Sequence, residues 1–136
     1  MAKFKKEFPD IVETITTDCD IFSSDGRKFH TDNAMWDTGA DNTVISKRVV
    51  EGLGLTPYNQ GSIAGIGGVS DSNVYLVHIL LPSGDCVTNV EVMENDFYDY
   101  DVIIGMDIIM FGDFLITNTN DKTVFQFRTP SEGGVL

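Results

Sequence analysis

The segments of this chain that read as β-strands lie so close together that almost no room is left for helices between them. Runs rich in β-branched and aromatic residues are separated by short clusters of Gly, Pro, Asn, Asp and Ser, whereas a parallel sheet needs crossovers of about a dozen residues or more. The sheet is therefore predicted to be mainly antiparallel and, lacking helices to cover it, closed on itself. At 136 residues and 15.0 kDa the chain suits one domain and is too short for two ordinary ones. A single domain over 1–136 is expected, with its core at about 11–128 and flexible ends at 1–9 and 129–136.

Local patterns predict the elements in turn. A strand over Ile11–Asp20 and a turn at Ser23–Gly26 lead into a second strand that begins at Arg27–His30 and ends at Trp36. Ser46 is placed to cap a short helix, Lys47–Leu53, which Gly52 and Gly54 stop. Thr56–Gly61 reads as a loop, and Ser62–Val69 as a glycine-rich hairpin tip, because Gly tolerates positive φ without cost. Strands at Asn73–Leu81 and Cys86–Met93 follow, joined by a turn at Pro82–Asp85. After an acidic and aromatic connection, Glu94–Tyr100, the run Val102-Ile103-Ile104-Gly105 reads as a buried strand and Met106–Phe111 as a short helix. A last hairpin is predicted from Phe114–Asn118 and Thr123–Arg128, turning at Thr119–Asp121.

Charge narrows the partners. The net charge is −12, and no Lys or Arg falls between Arg48 and Lys122, so a phosphate backbone would be repelled and nucleic acid is excluded as a partner. A basic peptide would be attracted, although solubility and discouragement of edge pairing are the plainer role of such a surface. Apolar runs fall short of the roughly 18 residues of a membrane span. Lys3, Lys5 and Lys6 are not followed by the apolar stretch of a secretory signal, which predicts a cytoplasmic protein with no membrane association. In that setting Cys19 and Cys86 are expected to be reduced, half-buried strand residues.

One stretch carries chemistry: Ala34-Met35-Trp36-Asp37-Thr38-Gly39-Ala40-Asp41-Asn42-Thr43-Val44-Ile45-Ser46, a carboxylate at the end of an apolar strand followed by a tight polar turn. Asp-Thr-Gly alone is common turn chemistry, but the glycine-rich Gly65-Ile66-Gly67-Gly68 and the apolar pair plus glycine at Ile103-Ile104-Gly105 follow it in order. Gly65–Gly68 lacks the Lys-Ser or Lys-Thr of a phosphate cradle. Asp18, Asp20, Asp99 and Asp101 lack the glycine and glutamate of a calcium loop, so no metal or other cofactor is expected. His30 and His78 sit within strands, apart from any nucleophile, and are assigned structural roles.

In that order these features resemble the retropepsin-like aspartic proteases, the dimeric relatives of pepsin. Asp37–Val44 is similar to their active-site loop and Gly65–Gly68 to their flap tip, while Ile103–Arg128 is more like the C-terminal segment of a pepsin lobe. The resemblance implies an all-β, closed acid-protease barrel with one or two short helices. It further implies an aspartic endopeptidase, a hydrolase acting on peptide or unfolded protein as a homodimer. The catalytic residues would be Asp37, Thr38 and Gly39, with substrate bound by Ala40, Asp41, Asn42, Ala64, Gly65, Ile66 and Gly67. Thr38 would bond across the two-fold axis, Asp41 and Asn42 would hold the peptide backbone, and the Ile66 N–H would reach substrate through a water. Ile63, Ile66, Val69 and Ile103 suggest apolar subsites. Since Asp-Thr-Gly occurs once, the second carboxylate must come from another copy; the alternative is a catalytically silent domain that binds peptides or dimerises.

Three positions depart from the family pattern. Met106 stands where retroviral relatives carry an Arg that pairs with the residue equivalent to Asp41, so the loop must be held otherwise. Trp36 is bulkier than the Leu or Val expected beneath the site. The segments at both ends are longer than in the retroviral enzymes, so their way of joining subunits cannot be carried over.

Overall fold

The structure, a computed structural model, describes residues 2–65, 68–97 and 99–134. Its strands are β1 (Ala2–Glu7), β2 (Thr16–Phe22), β3 (Lys28–Trp36), β4 (Val44–Ser46), β5 (Asn59–Gly65), β6 (Gly68–Leu80), β7 (Cys86–Asn95), β8 (Val102–Ile104), β9 (Asp113–Thr117) and β10 (Val124–Thr129). Two short helices interrupt them, α1 (Lys47–Leu53) and α2 (Met106–Ile109).

Six strands close a barrel. The order β2-β3-β8-β4-β7-β6 returns to its start because Asp20, Ile21 and Phe22 of β2 pair with Leu80, Ile79 and His78 of β6. β5 adds to the far side of β6 as an antiparallel hairpin arm, in register from Asn59 opposite Val74 to Gly65 opposite Gly68. All pairings are antiparallel except β3 with β8 and β4 with β7. The expected all-β, closed and mostly antiparallel barrel with two short helices is what the chain forms, and the parallel pairs arise because the long excursion between β4 and β8 lets the chain return beside β3.

The barrel is filled by Ile21, Ile45, Val77, Ile79, Val92, Val102 and Ile104, each at most 1% exposed. Period-two patterning accounts for this in β2, where Thr17, Cys19 and Ile21 point inward and Asp18 outward. α1 covers one flank with Val49, Val50 and Leu53. Its bounds match the local signals: the Ser46 hydroxyl accepts the Val49 N–H at 3.4 Å, and Gly54 ends the helix at φ 58°.

A second, three-stranded sheet in the order β1-β10-β9 lies under the barrel. Ala2 to Glu7 pair residue by residue with Thr129 to Val124, so a strand lies within the stretch expected to be flexible over 1–9. Phe4 of β1 belongs to an aromatic cluster with Trp36, Phe125 and Phe127, at centroid separations from 4.9 to 6.5 Å. Burying such rings stabilises the strand by a few kcal/mol in all, at about 25 cal/mol per Å² of apolar area.

The end expected to fray from Thr129 is likewise held as far as Gly133. Asp113 of β9 accepts hydrogen bonds from Arg128 Nε at 2.7 Å, the Glu132 N–H at 2.9 Å and the Gly133 N–H at 3.3 Å, as well as from the Ser131 hydroxyl. First Ser131 and then Arg128 hold its carboxyl well below the usual carboxylate range.

Other boundaries shift by a few residues. β2 starts at Thr16 rather than Ile11, β5 already begins at Asn59 within the expected loop, β7 runs on to Asn95, and α2 ends at Ile109 rather than Phe111. Both cysteines are free: Cys19 is buried, and Cys86 is exposed rather than half-buried. Burial, followed by the charges of Asp20, Asp18 and Asp101, pushes the Cys19 thiol up to about 12. Among the described residues no helix is long and apolar enough to cross a membrane.

Candidate active site

β3 delivers Asp37 to the barrel mouth. Trp36 pairs with Ile104 in the parallel β3–β8 ladder, and the next N–H, that of Asp37, donates to the Ile104 carbonyl at 2.9 Å. Beneath this point the indole is held on every side. Trp36 is 5% exposed, its Nε1–H donates to Thr17 Oγ1 at 2.9 Å, and its rings contact Phe4, Phe114, Phe125 and Phe127. The bulk of Trp36 is thus matched by the three-stranded sheet below it, whose Phe4, Phe114, Phe125 and Phe127 supply the rings around the indole.

From Asp37 the chain turns tightly. The Ala40 N–H donates to the Asp37 carbonyl at 3.2 Å, and the Gly39 N–H to Asp37 Oδ1 at 2.8 Å. Asp37 is half-buried, while Thr38 and Gly39 are exposed. Among the described residues, neither Asp37 Oδ2 nor the Thr38 hydroxyl has a hydrogen-bond partner.

The rest of the loop rests on the strand end and helix start that follow β8. The Met106 N–H donates to the Ala40 carbonyl at 2.7 Å and the Asp107 N–H to the Asp41 carbonyl at 3.1 Å. Gly105 is required by the closeness of this contact. A Cβ there would sit 2.8 Å from the Ala40 oxygen and 2.9 Å from the Asn42 carbonyl carbon and oxygen. Thr43 is fully buried and donates its N–H and hydroxyl to the two oxygens of Asp107, at 3.0 and 2.7 Å, while its Oγ1 accepts the Gly105 N–H at 3.2 Å.

Of the residues singled out in the sequence, Asp37, Thr38, Gly39, Ala40, Asp41 and Asn42 form this one loop. The Asp41 and Asn42 side chains are exposed and make no hydrogen bond or ion pair among the described residues, so Asp41 does lack the charged partner that Met106 cannot supply. Ala64 and Gly65 are the last residues of β5. Ile66 and Gly67 lie outside the described residues. Thr43, Gly105 and Asp107, which brace this loop, were given no individual role in the sequence reading. Asp107 resembles an ordinary acid in the first turn of a helix, where it would favour the dipole; its one distinguishing signal is its place two residues after the glycine of the apolar pair.

A closed six-stranded barrel with an Asp-Thr-Gly turn at its mouth and a hairpin arm beside it defines the retropepsin-like class of acid proteases. The chain belongs to the aspartyl protease family, whose model, described as Aspartyl protease, matches residues 22–108. Solved structures agree in fold. The solution structure of the Simian Foamy Virus (mac) protease is 24% identical, with a TM-score of 0.51, covering 71% of this chain and 93% of that one. The protease of EIAV, in complex with the inhibitor HBY-793, is 23% identical with a TM-score of 0.56, covering 72% and 86%. A retropepsin-like aspartic protease from Rickettsia conorii is only 15% identical, but its match covers 93% of this chain and 94% of its own, with a TM-score of 0.58. No curated protein sequence matches the chain.

Proposed function

We propose that this chain is an aspartic endopeptidase, active as a homodimer in which one Asp37 from each subunit flanks the scissile bond. The observation that carries this reading is the state of Asp37. One carboxylate oxygen is fixed by the Gly39 N–H, while the other oxygen and the neighbouring Thr38 hydroxyl have no partner among the described residues. Peptide hydrolysis needs a base to take a proton from water and an acid to protonate the leaving nitrogen. Two carboxylates about 4 Å apart repel by about 4 kcal/mol at an effective dielectric near 20, equivalent to about 3 pKa units. The pair therefore retains one proton, as aspartic-protease carboxylates are known to do, and the charged member acts as base while the protonated one acts as acid. The titration belongs to the pair.

Asp41 and Asn42, exposed beside Asp37, would hold the peptide backbone. The β5–β6 hairpin would act as the flap, with Ala64 to Gly67 closing over substrate and excluding bulk water. Cleavage of casein at acidic pH, followed by gel electrophoresis, tests the proposal: Asp37→Asn should abolish cleavage without altering the far-ultraviolet circular dichroism. Sedimentation tests the second half. A wild-type chain that stays monomeric from micromolar upward at pH 5 and at pH 7, and cleaves nothing, would instead be a silent peptide-binding relative.

A further inference from the structure

We propose that Asp107 is the positioning residue of the Asp37 loop, a proposal that rests on reading Asp37 as a carboxylate of the dyad. The loop from Asp37 to Thr43 is tied at both ends to one short stretch, Ile104 to Asp107. At its start the Asp37 N–H reaches the Ile104 carbonyl at 2.9 Å. At its end both hydrogen-bond donors of Thr43 reach the Asp107 carboxylate, at 3.0 and 2.7 Å. Between these, the Asp107 N–H holds the Asp41 carbonyl at 3.1 Å.

Asp107 thus contributes three hydrogen bonds to the loop. Thr43 is 0% exposed, so its donors have no water to fall back on if the carboxylate is removed. Its hydroxyl also accepts the Gly105 N–H at 3.2 Å, which couples the clamp to the residue that follows Ile104. Slack introduced at Thr43 therefore reaches both Asp41 and the strand end that carries Asp37. In this chain the loop is braced by an acid that accepts from Thr43, and the Asp41 carboxylate is left exposed and free of any ion pair among the described residues.

Steady-state cleavage and amide hydrogen exchange test this together. Asp107→Ala should lower kcat about tenfold or more at a temperature far below its melting point, because geometry at the reacting groups is loosened. Asp107→Asn, which keeps one acceptor oxygen, should recover kcat to within about threefold of wild type. Thr43→Val should resemble Asp107→Ala and serves in its place if the alanine variant does not fold. A lowered melting temperature with kcat unchanged would mean a purely structural role and would overturn the proposal. Exchange supplies a readout independent of activity: Asp107→Ala alone should speed exchange of the Asp37 and Gly105 amides about tenfold. Unchanged protection of the Asp37 amide also overturns it. An inactive wild-type protein would count against the protease reading alone, since the exchange measurement still decides the positioning role.

Discussion

At the scale of single residues, the site depends on contacts too close for any larger group. Gly105 is the sharpest case, because the atoms that a Cβ would meet belong to the backbone of Ala40 and Asn42, which cannot rotate away. Gly105→Ala should therefore push the loop aside, costing about 1–3 kcal/mol of stability and, through misplacement of Asp37 by a sizeable fraction of an ångström, up to about 10²-fold in kcat/KM. Peptide kinetics beside a denaturant melt would check both figures, and wild-type kinetics would contradict the claim. Sequence alone shows why a glycine could stand there, after an apolar strand, but not that two carbonyls press on it. The Asp37–Asn42 loop was legible because its signal is local: a polar turn directly after an apolar strand. The Thr43–Asp107 clamp was not, since it joins residues 64 positions apart and each of them taken alone looks ordinary.

Among the elements, β1 is the one that changes the picture of the molecule. The alternation Lys3, Phe4, Lys5 has the period of a strand, yet three lysines within four positions masked it, and its partner β10 lies at the other end of the chain. Helix α1 shows the opposite case, with its cap, inward face and stop glycine all contained in nine residues. If β1 is an integral support for Trp36, Phe4→Ala should destabilise the fold by about 2–3 kcal/mol, whereas Lys5→Ala, which loses only an exposed pair with Glu7 at 3.6 Å, should change it by less than about 0.5 kcal/mol. Urea denaturation of the two variants separates these outcomes. Equal midpoints would mean that β1 is only loosely attached.

Across the whole molecule, charge sets the conditions in which the fold is most secure. His30 lies between two carboxylates, with Nδ1 2.6 Å from Asp20 and Nε2 3.0 Å from Asp32, and these bonds, that of Asp20 foremost, raise its pKa above 6.5. Its contribution is therefore complete below about pH 6.5 and is lost as pH rises through the folded-state value. Asp113 behaves in reverse. Its carboxyl is held below 3.8 in the fold, so the contribution is present above that value and disappears as pH falls through the folded one. Both terms are in force between about pH 4 and 6.5, and a net charge of −12 adds repulsion that grows toward neutrality. Calorimetric melting temperature should accordingly peak in that acidic window. His30→Gln should remove part of the decline on its alkaline side and Asp113→Asn part of that on its acid side; a peak at pH 8 would contradict this assignment.

The pairing of Ala2–Glu7 with Val124–Thr129 also bears on when during its own synthesis the chain could become competent. Phe125 and Phe127, which wall in Trp36 beneath Asp37, are translated well after that turn, whereas the strand that covers them, β1, is translated before it. A nascent chain would carry the Asp37 turn well before it carried the floor under it. Competence would then arrive in a single step, when β1 and β10 meet.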